Sequence, residues 1–138
     1  MKTEIGTRDP MIRKATVNDI PGILELVQDN LGTLLPRSHQ DYVELIDTTW
    51  VADANGKIVG SAVLEVYSPK IAEIRSFVVH KEYRRQGVGK GLITAAVDAA
   101  QSRNIREIMV VTSAREYFEK LNFGAVLNEK FALFWNGK

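Results

Sequence analysis

The stretch from Ile71 to Leu92, IAEIRSFVVHKEYRRQGVGKGL, holds most of the chemistry this chain can do. Past His80 it carries four cations, Lys81, Arg84, Arg85 and Lys90, against the single anion Glu82. Gly87, Gly89 and Gly91 stand where a helix-like pattern opens. A helix start has N–H groups without partners and a partial positive charge. Glycines let a phosphate approach that backbone closely, and arginines can grip phosphate in bidentate fashion. The segment reads as a diphosphate site. It is not G-x-G-x-x-G, because Leu92 stands in the third glycine's place, and no Ser or Thr follows Lys90 as a Walker A loop requires. The plainer reading is a flexible basic turn that only starts a helix. A strand in front and a long amphipathic helix behind argue for phosphate.

Those flanking elements follow from hydrophobic spacing. Ile71 to Val79 is apolar and β-branched, which predicts a strand. Val88, Leu92, Ile93, Ala96, Val97 and Ala100 repeat at helical intervals from Gly87 to about Ser102, and Ile105 to Thr112 reads as the next strand. Together they predict a β-α-β unit. Upstream, a strand over 11–15 precedes a helix from Ile20 to Leu31, with Asn18 or Asp19 as cap, Pro21 in its first turn and Gly32 as its end. A short helix over 39–46 and strands over 49–52 and 58–67 follow, the strands joined by an Asn55-Gly56 turn. A short helix near 114–121 ends at Asn122, and strands over 123–126 and 131–134 close the pattern. This is a mixed, largely antiparallel sheet with helices on both faces.

The whole chain fits that plan. It has 138 residues, 45% hydrophobic and 25% charged, which predicts one domain over 11–138. Residues 1–10 read as a loose extension or cloning remnant. A net charge of +1 argues against general nucleic-acid binding. The sequence offers no membrane span and no apolar leader, so the expected place is the cytoplasm. There is no cysteine, and His39 and His80 lack metal-ligand spacing, so no metal is expected.

Arg84-x-x-Gly87-x-Gly89 resembles the acyl-coenzyme A signature of the GNAT superfamily of N-acetyltransferases. AREYFEKLNF (residues 114–123) is similar to that family's second motif, A-x-x-F-Y-x-K-x-G-F. The resemblance runs over about residues 11–135. LLPRS (34–38), AEIRS (72–76) and MVVTS (109–113) look more narrowly like short N-acetylglutamate synthase-type enzymes of amino-acid metabolism.

The resemblance implies an α/β fold whose central strand pair is splayed, and acetyl-CoA as cosubstrate. Its diphosphate falls to the backbone at Arg85, Gln86, Gly87, Val88 and Gly89, with Arg84, Lys90 and Gly91 beside it. Its pantetheine arm would lie along Phe77, Val78 and Val79 as an added strand. Without cysteine, the amine attacks the thioester directly in a ternary complex. Glu73 matches the position of the family's base; a strand carboxylate paired with Arg75 is the structural alternative. The backbone N–H of Val78, with Val79 next, matches the oxyanion donor. Phe118 occupies the place of the family's tyrosine acid and is expected against the coenzyme. The hydroxyl sits instead on Tyr117, a candidate acid expected to point elsewhere. Arg37 and Arg75 suit a carboxylate-bearing acceptor such as glutamate. The expected partner is a small-molecule amine, with a homodimer as family habit. A protein acetyltransferase, and an acyl-CoA-binding module that has lost catalysis, remain as rival readings.

Overall fold

A computed structural model describes residues 9–32, 34, 36–124 and 135. Five strands form one sheet in the order β1 (Met11–Lys14), β2 (Thr49–Ala54), β3 (Lys57–Val66), β4 (Ile71–Val79), β5 (Glu107–Met109). The first three pairings are antiparallel and the last is parallel. Asn55 and Gly56 both take positive φ, the geometry a tight hairpin needs.

Two helical layers cover the sheet. On one face lie α1 (Ile20–Gln28) and α2 (His39–Leu45), which bury Ile20, Ile23, Leu26, Val27 and Tyr42 against Val51 and Val63. On the other lies α3 (Val88–Ser102), whose Val88, Leu92, Ile93, Ala96 and Ala100 pack on Ala52, Val59 and Leu64. A fourth, short helix, α4 (Arg115–Glu119), follows β5.

Three local readings differ. The turn at Val17–Asp19 that leads into α1 is capped by Thr16 through a capping box, not by Asn18, while Asp19 takes the N-cap position of α1 itself, one of the two the sequence offers. Asp19 serves as the third box residue while gripping Arg13 with both oxygens, at 2.8 and 2.9 Å. The helix also ends at Gln28, before Gly32, where the Asn30 side chain donates to the Leu26 carbonyl. And β5 covers three residues, not the eight expected, because its pairing with β4 lasts only from Ile71↔Glu107 to Glu73↔Met109. The closing strands expected at 123–126 and 131–134 fall mostly outside the described residues, as do residues 1–8.

β4 carries a bulge that no pattern in the sequence announces. Its register with β3 runs Val63↔Arg75 and then Ser61↔Val78, so Ala62 faces two residues, and Ser76 takes φ +53°. The extra residue reverses the alternation. Ala72 and Ile74 pack toward α3 before it, Phe77 and Val79 after it, and Val78 joins the α1–α2 side.

Candidate active site

Two strands that stop pairing while one continues leave a wedge. Glu73 sits on the last paired rung, where β4 and β5 part. It is buried, and the Tyr67 hydroxyl donates to its Oε1 at 2.6 Å. Alternation puts Arg75 on the same face, as the sequence predicts. Arg75 pairs not with Glu73 but with Glu65 of β3, at 3.3 Å. Arg37 reaches the same Glu65 oxygen at 3.1 Å and donates through Nε to Ser76 Oγ at 2.7 Å. The bulge thus presents Ser76 to Arg37. Both predicted acceptor arginines are brought together, with a carboxylate between them. Burial works against the Arg75 charge, but Tyr67, Glu73 and Glu65 outweigh it and hold its pKa above the ordinary value. Burial likewise pushes the Tyr42 hydroxyl up, with Ser76 and Arg37 acting the other way.

At its far end β4 runs into the basic loop. A one-turn helix over Lys81–Tyr83 is capped by His80, whose Nδ1 accepts from the Glu82 N–H at 3.1 Å. Arg85 (φ +66°) and Gly87 (φ +83°) turn the chain into α3. The first amides of α3, at Val88, Gly89 and Lys90, have no acceptor within the helix. Arg85, Gln86 and Lys90 are exposed around them. Arg84 is committed to the chain instead: it donates to the Val79 carbonyl at 3.1 Å and to Asn30 Oδ1 at 3.2 Å, tying the strand end to the turn after α1. Gly89 and Gly91 have packing reasons of their own. A Cβ at Gly89 would collide with Tyr117 Oη, and one at Gly91 would lie 2.9 Å from Ile12.

Three predicted site residues are placed in ways the sequence does not announce. Phe118, expected against the coenzyme, is 4% exposed and sits edge-on to Phe77 and Phe123, with ring centres 5.9 and 5.4 Å away. Tyr117, expected to point elsewhere, stacks on Phe77 at 6.1 Å and lays its hydroxyl over Gly89. The reason is the apolar demand of the core. The more greasy ring takes the interior, and the phenol stays at the wedge, where partial burial raises its pKa. Val78 is the third. The His80 N–H donates to the Val59 carbonyl at 2.8 Å. Hydrogen-bonding direction alternates along a strand, so the Val78 N–H also points to β3. The Val79 N–H is the one that faces the wedge.

Sequence reading missed Tyr67, Glu65 and Ser76. The first two were within reach. A turn centred on Pro69 sets Glu65 opposite Glu73 and leaves Tyr67 one diagonal away, close enough for an aromatic side chain. Ser76 was not, because its placement depends on the bulge. An open acidic cleft of about 520 Å³ beside α1, lined by Asp19, Glu25 and Asp29, includes none of the predicted site residues. Among the described residues there is no cluster of three metal-ligating side chains, and no helix is long and apolar enough to cross a membrane.

A model of the acetyltransferase (GNAT) family matches residues 20–123, from α1 through α4. The chain belongs to that family. An amino-acid acetyltransferase from Mycobacterium tuberculosis is 29% identical to this acetyltransferase over 118 residues, which are 83% of this chain and 68% of the relative. A crystal structure of a Mycobacterium tuberculosis protein in complex with CoA superposes with a TM-score of 0.79 at 27% identity, over 85% of this chain and 73% of that one. N-acetylglutamate synthase from Neisseria gonorrhoeae, complexed with coenzyme A and N-acetyl-glutamate, gives 0.74 at 25% identity. The match covers 83% of this chain and only 28% of the gonococcal one.

Proposed function

We propose that this GNAT-family protein transfers an acetyl group from acetyl-CoA to the primary amine of a small molecule, an amino acid with glutamate as the leading candidate. One observation carries the reading: β4 parts from β5 directly after a buried carboxylate, Glu73, and leads into the glycine-opened start of α3. The wedge, the amides and the exposed cations fit a long thioester carrier with a diphosphate. The gonococcal synthase and the mycobacterial protein hold coenzyme A.

Bound there, acetyl-CoA supplies an acetyl group activated as a thioester. The chain does the rest. Backbone N–H groups from Arg85 to Gly89, with Lys90 near, hold the two phosphates. The open edge of β4 at Phe77 and Val79 offers backbone groups to the pantetheine arm. The Val79 N–H is the donor available to a carbonyl oxygen that gains charge. An alkyl ammonium, with a pKa of about 10, must lose a proton before it can attack, and Glu73 takes it, directly or through water. Arg75 and Arg37 hold the acceptor's carboxylate. Arg37, Arg75 and the Glu65 they share leave one net positive charge, which matches the single net negative charge of glutamate.

The test is thiol release from acetyl-CoA across a panel of amino acids and simple amines, beside calorimetry of coenzyme binding. Turnover on glutamate or a related amino acid, with KM raised at least about tenfold by Arg75→Ala, supports the reading. Coenzyme binding without turnover on any amine favours a binding module. Failure to bind coenzyme at all overturns the proposal.

A further inference from the structure

A buried carboxylate that is to act as a base needs a partner that fixes its orientation and keeps it ionised. Glu73 has one outside the family's motifs. Tyr67 follows β3 and is half exposed, whereas Glu73 is 9% exposed. The hairpin turn locks Tyr67: its N–H donates to the Ile71 carbonyl at 3.0 Å, and Ser68 Oγ accepts from the amides of Lys70 and Ile71 at 3.1 and 3.2 Å. From that fixed point the hydroxyl reaches Glu73 Oε1 at 2.6 Å, a short hydrogen bond of the kind charged acceptors make.

We propose that Tyr67 is a positioning residue for the acetyl transfer: its hydroxyl holds the Glu73 carboxylate in place at the strand fork and favours its charged form. The proposal rests on Glu73 as the base. A Glu73 oxygen anchored by Tyr67 leaves the other for the acceptor's proton. Among the described residues, the groups facing Glu73 are few. Glu65 stands opposite it on β3, Arg75 lies two residues on along β4, and the β5 neighbour on the same rung is the uncharged Met109. Among these neighbours Tyr67 is the neutral group that donates to Glu73. Its own pKa is pushed up by partial burial and by Glu73, so the hydroxyl stays protonated and remains a donor across the working range.

Tyr67→Phe keeps the ring and removes only the donor. A hydrogen bond to a carboxylate favours its ionised form, so without it the acid limb of kcat/KM against pH moves up by about 0.5–1 unit. On that limb kcat/KM drops about 3- to 10-fold, the same shift read as a rate. On the alkaline plateau it stays within about twofold and coenzyme affinity is unchanged, while Tm at neutral pH falls by about 3–6 °C, the same shift read as stability. A merely structural tyrosine would lower the rate equally at every pH. Carbon-13 NMR of the Glu73 carboxyl reads the bond without any turnover: its titration midpoint rises in Tyr67→Phe. An unmoved midpoint overturns the proposal, as does a uniform loss of rate. Glu73→Gln separates the two claims. Wild-type turnover in that variant refutes Glu73 as base, and with it Tyr67's part in the reaction, whatever the midpoint does.

Discussion

The start of α3 can be moved without substituting any residue of the site, and Gly60 is the place to do it. Gly60 lies on β3 beneath the first turns of α3. A Cβ there would stand 2.9 Å from Leu92 Cδ1, 3.1 Å from Val88 Cγ1 and 3.3 Å from Ala52 Cβ. Carbon atoms pack at about 3.5–4.0 Å, so each contact is short by several tenths of an ångström. The three neighbours yield unequally. Leu92 can swing its terminal methyl. Val88 is β-branched and nearly confined to one rotamer in a helix. Ala52 is fixed in the next strand. The relief must come from α3, whose first turn lifts by about half an ångström. Overpacking of this kind costs about 1–3 kcal/mol. At about 4 °C per kcal/mol for a chain of this size, Gly60→Ala should melt about 4–12 °C below wild type. The lifted turn carries the amides assigned to the diphosphate, so coenzyme affinity by calorimetry should weaken several-fold, by about 1 kcal/mol. Gly32→Ala is the control, because an added methyl there meets nothing within 4 Å. A Gly60→Ala protein with wild-type Tm would refute the packing argument. A lower Tm with unaltered coenzyme affinity would spare the fold and refute the placement of the diphosphate.

The Arg13 cluster predicts an acid-sensitive contribution to stability. Arg13 holds the Asp19 carboxyl below its usual range, against the opposing effect of burial, so the stabilisation is full above the unfolded value of about 3.9 and fades as pH falls through the lower folded value. Arg13→Ala should therefore cost about 1–2 kcal/mol at pH 7 by urea unfolding, and the gap to wild type should close below about pH 4; a gap independent of pH would remove the Asp19 bond as its source. Tyr117→Phe, with the stack on Phe77 retained, should keep turnover within about threefold, since a thiolate of pKa about 8.5 leaves with little help. A loss of a hundredfold in steady-state rate would make that hydroxyl the acid.

Much of this protein was written in short-range spacing. The helix over Val88–Ser102, the strand over Ile71–Val79, the Asn55-Gly56 turn and the basic glycine loop all declare themselves, because periodicity, turn chemistry and capping act over a few residues. The shared face of Glu73 and Arg75 follows from strand alternation alone. Other features depend on partners distant in sequence. β5 reads as a long strand by composition, yet it pairs over three residues, because the neighbouring strand diverges from it. The bulge at Ser76 reverses which side chains face α3 and turns the Val79 N–H, not that of Val78, toward the opening. Phe118 and Tyr117 both suit an apolar helix face, and only the packing of Phe77 and Phe123 decides which ring goes in. Glu65 between Arg37 and Arg75 joins side chains 28 and 10 residues apart. Local sequence fixes the elements and the loop that can hold phosphate; register, bulge and burial decide which atoms face the wedge, since those are settled only when distant segments compete for the same space.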